Sequence, residues 1–348
     1  MPDVKIDTVS HQAASREIPW VSIVMPIRKC QATVGKSLDA LLRQQVPARC
    51  EIILVCNGYQ EEADDSIDII RLHPLVKKWD AVEIFGSGRG LAGSYNLGWK
   101  AARSRYVLFM HSDCYPVDND ALRRMVECLE HNDAVAVEPL IGIPPNDWET
   151  MSFWDRVTSS QYRYAKPARG FSGKFDLFRR DVLEKLCGYD EENFFSAAED
   201  SDLAERLCTV GKTVGSNVLV MHGHKHPAAT RFTSTLRKHA QLGEGTGALL
   251  RKYWRSTFFL GRYYILMGFN GLKLLLLIGI FVPPVSLYAA ILMLLLATYY
   301  GRWAMLTRDW RVVLIPFAVS LMFSVFAVSM VKAFICRRQS FDYFKRTK

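Results

Sequence analysis

Apolar and polar residues alternate along the first 260 positions at two distinct periods. Short runs rich in β-branched residues recur at 21–25, 51–55, 81–85, 106–110 and 134–137, with the length and composition of buried strands. Between them, 34–43, 91–103 and 119–130 carry the wider spacing of helices. This alternation predicts βα units, an α/β fold on a mostly parallel sheet. After Gly142 it fades into an aromatic, polar stretch at 147–178, and a strand-like run returns at 216–221.

The pattern changes again near the C-terminus. Residues 263–335 are dominated by Leu, Ile, Val, Phe and Ala, and two blocks, 274–298 and 312–334, are long enough to cross a bilayer core of roughly 30 Å. Pro283 and Pro284 interrupt the first block, which predicts either a kinked span or a tight hairpin. The first twenty residues are polar and lack the apolar core of a signal peptide. The tail after Cys336 is more basic than the 301–311 loop, which predicts that both termini face the cytoplasm. An integral protein of the cell inner membrane or its equivalent is expected, with its large domain cytoplasmic. Its expected parts are a polar tail at 1–18, the α/β domain at 19–230, a basic amphipathic interface segment at 231–262, a transmembrane region at 263–335 and a basic cytoplasmic tail at 336–348.

The formal net charge of +9 raises the question of nucleic acid. Its distribution argues otherwise, because residues 231–262 hold seven Lys or Arg against one acid, Glu244. Membrane lipid headgroups, or the phosphates of a lipid-linked substrate, are the better partners there, and no nucleic acid is expected. The eight cysteines include no CxxC pair, which argues against a zinc ribbon or a thioredoxin-like site and fits reduced thiols.

Candidate chemistry begins at FMHSDCYP, 109–116, where an apolar strand ends in His111, Ser112 and Asp113. Parallel sheets bind ligands outside the carboxyl ends of their strands, so Asp113 stands at a candidate site, although Pro116 also suits a plain turn. GSGRG at 86–90, GKS at 35–37 and GKT at 211–213 lack the glycines of dinucleotide or phosphate loops and read as turns. Four acids, Glu199, Asp200, Asp202 and Glu205, open a predicted helix. The helix dipole accounts for one or two of them. Glu199 and Asp200 follow the apolar FFSAA segment directly, the setting in which a base acquires a useful pKa. The run HGHKH at 222–226 places histidines at alternate positions, either as metal ligands or as a polar strand exit.

Together these features resemble the family 2 glycosyltransferases of the GT-A fold, whose sheet is Rossmann-like, over about residues 20–225. VSIVMP at 21–26 looks like that family's first strand, and EIILVCNG at 51–58 like its second strand and the turn behind it. GLAGSYNLG at 90–98 is similar to its G-x-A-x-x-x-N-x-G segment, and FMHSDCYP stands where its DxD motif falls. GFSG at 170–173 with Arg179 and Arg180, GYDE at 188–191 and EDSD at 199–202 look like its acceptor-side motifs.

The resemblance implies a nucleotide-sugar donor, Mg²⁺ or Mn²⁺, and an inverting single displacement. It makes Asp113 the metal ligand, with His222 completing the sphere or His224 in its place. It makes Asp200 the base, with Glu199 as its neighbour. Pro26, Ile27, Arg28 and Asn57 fall where the nucleoside is expected, Arg89 near the donor phosphates or ribose, and Asn96 and Ser112 in the donor site. Gly173, Arg237 and Lys238 are expected on the acceptor side. Three positions depart from the family pattern, with His111 replacing the first Asp of DxD, Asn57 an Asp, and Tyr95 an Arg. An Asn carbonyl can still accept from a base N–H but carries no charge, which leaves the nucleotide open.

The expected function is transfer of a single sugar to a lipid-linked acceptor, a polyprenyl phosphate or diphosphate, in glycan or polysaccharide assembly. A processive polysaccharide synthase should carry QxxRW downstream, which QLGEG at 241–245 does not match. A polyprenyl-phosphate sugar synthase differs mainly in its acceptor. An inactive membrane-anchored binding protein would suit His111 and Asn57, but it would have no need of Asp200.

Overall fold

The computed structural model describes residues 6–12, 17–56, 66–86, 90–167, 170–194, 197–223, 232–254 and 309–336, with isolated positions between 287 and 298. Asn57, Arg89, His224, Pro283, Pro284 and the tail from 337 onward lie outside the described residues.

The strands are β1 (Ile6–Gln12), β2 (Ser22–Ile27), β3 (Glu51–Cys56), β4 (Asp80–Gly86), β5 (Tyr106–Phe109), β6 (Cys114–Pro116), β7 (Ala136–Gly142), β8 (Lys166–Pro167), β9 (Asp176–Arg179) and β10 (Thr213–His222). They join in one sheet, in the order β1-β4-β3-β2-β5-β9-β7-β10-β6, with β8 paired to β7. The apolar runs are near-continuous because both faces are covered. Ile52 and Leu54 enter one core with Leu38 and Leu41 of the Val34–Leu42 helix. Ile53 and Val55 enter the other, with Tyr95 and Trp99 of the Gly90–Ala101 helix. That helix rests directly on β2, where a Cβ on Gly98 would fall 2.1 Å from Val24 Cγ1.

The expected mostly parallel set of strands is present, with antiparallel strands added to it. β4, β3, β2 and β5 are parallel, as are β7 and β10, but β9 lies between β5 and β7 and runs antiparallel to both. β7 ends, and β9 begins, at the carboxyl edge of the sheet, so the chain re-enters from that edge and reverses direction. The polar 1–18 tail also contains structure. β1 adds to β4 as an antiparallel edge strand, supported by backbone pairing.

Beyond the sheet, a long helix, Phe232–Tyr253, packs against the apolar helix Ile315–Cys336. Close approach depends on glycine, since Cβ atoms at Gly243 and Gly247 would fall 2.3 Å and 2.2 Å from the carbonyl oxygens of Phe326 and Met330. The apolar helix buries Val319, Met322, Phe323 and Met330. Its other side exposes Phe317, Leu321, Val328 and Ile335. A helix apolar on both the packed and the open side suits lipid better than water. With its preceding turn it forms a 27-residue candidate span, Trp310–Cys336, of mean hydropathy 2.4.

Candidate active site

β2, β3, β5, β7 and β10 end on the same edge of the sheet. β5 leaves the core through buried Met110 and delivers His111, Ser112 and Asp113 there. β6 then turns back antiparallel to the end of β10, with Cys114 opposite His222, and the Gly223 N–H donates to the Asp113 carbonyl at 2.7 Å. This pairing brings the two predicted metal ligands together. His222 Nε2 lies 3.4 Å from Asp113 Oδ2, and His111 Nδ1 lies 4.0 Å from Asp113 Oδ1. With the buried Cys114 thiol, the ligand atoms of this group all lie within 4.8 Å of one another.

Burial alone would raise the Asp113 pKa, but the hydrogen bond to His222 and the nearby imidazoles outweigh it and hold the carboxyl well below its usual range. Burial pushes the His111 imidazole down to about 3. His111 Nε2 is buried with no hydrogen-bond partner among the described residues. A neutral imidazole, an ionised carboxylate and a second imidazole converging on one point suit a divalent cation.

The second group stands at the start of the Glu199–Leu207 helix. Ala198, the residue before it, adopts the left-handed conformation at φ +71°, an unfavourable one for alanine that turns the chain sharply into the carboxylates. Burial raises the pKa of Glu199 to about 7, and Asp200 adds to the rise. The Asp200 carboxyl is also raised, by burial first, while the Ser201 N–H donates to its Oδ1 at 2.7 Å and opposes the shift. Two adjacent carboxyls in one desolvated cleft share their titration, so a proton is exchangeable there near neutral pH. Asp202 serves the fold instead. It is fully buried and accepts from Arg206, Lys252 and the Tyr253 hydroxyl, which ties this helix to the long helix.

Lys238, on the long helix, joins this pair. Crowding by the cleft walls lowers its pKa although the side chain keeps exposed area, and the charges of Glu199 and Asp200 oppose the shift. Arg237 is exposed. Pro26, Ile27 and Arg28 border the same edge, where Pro26 and Ile27 pair with Val55 and Cys56. The Ser112 carbonyl accepts from Ser37 Oγ at 2.9 Å.

Two expected site residues act as braces. The Asn96 side chain donates to the Tyr189 carbonyl and to Glu191, and accepts from Trp99 Nε1 and the Tyr189 N–H, so it anchors the 188–191 turn. Gly173, at φ +68°, is buried, and its N–H donates to Asp176 while its carbonyl accepts from Tyr95 Oη. A Cβ on Gly173 would fall 2.2 Å from that hydroxyl.

Sequence reasoning missed Lys174 and Tyr95 as contributors to the site. The Lys174 charge lowers the pKa values of Glu199, Asp200 and His111, which puts one cation between the two groups. It also lines a cavity of about 160 Å³ with Ile141, Ile143, Tyr162, Ser172 and His222. The apolar wall continues outward, since Ile143 belongs to the cluster that holds Phe153 and Val157 against Ile315, Val319 and Phe323 of the apolar helix. Tyr95 stacks on His111, on Tyr189 and, tilted, on Phe109. The sequence marked Tyr95 only as a departure from the family pattern, without that role.

The α/β sheet, with the His–Asp–Cys cluster and the carboxylate pair at its carboxyl edge, has a GT-A architecture. Residues 22–187 match the family described as Glycosyl transferase family 2. Glycosyltransferase EpsJ of Bacillus subtilis, itself described as uncharacterized, is 30% identical over 53% of this chain and 54% of its own. Glycosyltransferase AglE of Haloferax volcanii is 24% identical over 66% of this chain and 73% of its own. The chain thus spans about half the length of the first relative and about three-quarters of the second. Mannosyltransferase PcManGT from Pyrobaculum calidifontis, solved in complex with GDP-Man and Mn²⁺, superposes with a TM-score of 0.56 over 93% of this chain and 89% of its own, at 17% identity. That likeness establishes the fold.

Proposed function

We propose that the protein transfers a single sugar, with inversion, from a nucleotide-sugar donor to a hydroxyl of an acceptor linked to polyprenyl phosphate or diphosphate, at the cytoplasmic face of the inner membrane or its equivalent. One observation carries the reading. The long helix brings Lys238 to Glu199 and Asp200 while Gly243 and Gly247 seat it on the apolar helix, so the carboxylate pair stands one helix away from the candidate span. A lipid-linked acceptor presents its phosphate at that level.

In this reading Asp200 takes the acceptor hydroxyl proton and Glu199 holds the shared proton beside it. Pro26, Ile27 and Arg28 border the nucleoside, with Asn57 and Arg89 expected nearby. Asp113 and His222, with His224 as an alternative, hold the Mg²⁺ or Mn²⁺ that neutralises the leaving diphosphate. Lys174 and Lys238 face the acceptor phosphate, and the apolar wall through Ile143 leads its tail toward the membrane. The bound state of PcManGT, with GDP-Man and Mn²⁺, is consistent with a nucleotide sugar and a divalent ion in a fold of this kind.

The test uses the full chain in detergent, a panel of nucleotide sugars and a short-chain polyprenyl-diphosphate-linked sugar, whose free hydroxyls the proposed base requires. A glycosylated lipid that disappears in Asp113→Asn supports the reading. Equal transfer to a soluble sugar acceptor would overturn the lipid-linked assignment.

A further inference from the structure

Among family 2 resemblances the first carboxylate of DxD is the position where this chain differs most in chemistry, because an imidazole stands there. His111 is held rather than loose. Its ring lies parallel to that of Tyr95 within 9°, with centroids 6.3 Å apart. Tyr95 is itself fixed by its 2.9 Å hydrogen bond to the Gly173 carbonyl and by Phe109, whose ring centroid is 4.5 Å away. The side chains of His111, Asp113 and His222 are 23%, 34% and 22% exposed, so all three reach the open cleft, whereas Cys114 is fully buried behind them.

Two donors each about 2.1 Å from one ion lie about 3 Å apart when adjacent and about 4.2 Å apart when opposite. The separations about Asp113, 3.4 Å to His222 and 4.0 Å to His111, fall within that interval. The ring edge that faces Asp113 is Nδ1, whereas Nε2 is buried on the other side of the ring, so Nδ1 is the atom that would meet the ion.

The chemistry of the donors then separates candidate ions. Mg²⁺ is small and hard, prefers oxygen in near-ideal octahedral geometry and gives up its waters reluctantly. Imidazole suits first-row transition ions, and Mn²⁺ accepts carboxylate oxygen as readily as Mg²⁺ does while binding nitrogen better. We infer that His111 is a direct ligand that tunes this site toward a divalent transition ion, of which Mn²⁺ is the probe, and away from Mg²⁺. The inference rests on the proposed site but not on the identity of sugar or acceptor.

The experiment titrates metal alone into the chelator-stripped full chain in detergent. Loss of the free-Mn²⁺ electron paramagnetic resonance signal gives the Mn²⁺ affinity, and competition gives that of Mg²⁺. Wild type should prefer Mn²⁺ by at least about tenfold, and His111→Asp, which restores an all-oxygen first position, should narrow the preference by about tenfold or more. A thermal melt checks that the variant is folded, and His111→Asn serves if it is not. Electron spin echo modulation of Mn²⁺ in the wild type needs no variant to read coordinated imidazole nitrogen, and the modulation should fall when His111 is replaced. Equal affinity for the two ions, an unchanged preference in His111→Asp, or absence of imidazole nitrogen at the ion would each overturn the inference. Transfer to a lipid-linked acceptor could fail with the ion preference intact, so the two readings fall separately.

Discussion

Gly245 lies against the Ala197 carbonyl, where a Cβ would come within 2.6 Å of the oxygen. Ala197 is two residues before Glu199, and the left-handed Ala198 separates them. The long helix therefore presses with one side on the loop that aims the carboxylate pair and with another, through Gly243 and Gly247, on the apolar helix. Its sequence of small residues serves two close contacts in different directions.

Gly245→Ala should move that loop. Overpacking costs about 1–3 kcal/mol, so a fall in thermal midpoint is expected, but the informative change is in turnover. kcat should drop while donor affinity stays near wild type, since the strand-edge residues that border the nucleoside lie on other elements. A lower midpoint with unchanged kcat would mean that the helix supports the fold without positioning the carboxylates.

Asp200→Asn keeps shape and hydrogen bonding but cannot take a proton. Turnover should fall by roughly 10² to 10⁴, with donor binding nearly unchanged. In the wild type, kcat/KM should rise with pH as the pair loses its shared proton, with an acid limb near the raised Glu199 value of about 7. Steady-state rates across pH, with donor affinity from calorimetry, decide the point. Collapse of donor binding would reassign Asp200 to the donor site.

Asp176 supports the Ser172–Lys174 loop and gives a stability test. It is fully buried and accepts the N–H groups of Ser172 and Gly173, both at 2.6 Å. Burial raises its pKa to about 7, against those two hydrogen bonds and the Lys174 charge. Because the folded value exceeds the unfolded one of about 3.9, the group's contribution is fully present below the unfolded pKa and is lost as pH rises through about 7. Asp176→Asn does not titrate. The stability of wild type minus that of the variant should therefore decrease between pH 5 and pH 8, as read from unfolding midpoints. A pH-independent difference would mean that Asp176 is ionised throughout.

The parts of the site that sequence made legible are those set by local pattern. β5 is apolar to its last residue and stops at His111, so Asp113 had to fall at a strand tip, and FFSAA before Glu199 placed that acid in a buried setting. The parts that were not legible depend on long-range returns of the chain. β9 has four residues, too few to show a period, and its antiparallel insertion follows from the path through 143–175. Lys174 is one cation among 44, and nothing local distinguishes it from a surface lysine. Asn96 lies in a stretch that suggested donor binding, yet its amide is consumed by the 188–191 turn, a contact between distant segments.

Arg237 and Lys238 are neighbours in sequence with different surroundings, and this gives the sharpest test of the acceptor side. Both side chains are exposed on the helix, but only Lys238 faces the fields of Glu199 and Asp200. Removing a cation from beside a carboxyl destabilises its charged form and raises its pKa. Lys238→Gln should therefore move the acid limb of kcat/KM to higher pH and raise the acceptor KM, while donor hydrolysis at high pH persists. Arg237→Gln should leave the acid limb in place and alter acceptor KM only through attraction to phosphate, an effect that salt screens. Both variants should remain with the membrane fraction, because the apolar helix does not depend on either charge. Rate profiles for the two variants, measured in parallel at two ionic strengths, distinguish the roles. An equal shift of the acid limb in both, or none in Lys238→Gln, would remove Lys238 from the neighbourhood of the base and leave both cations as contacts for anionic lipid.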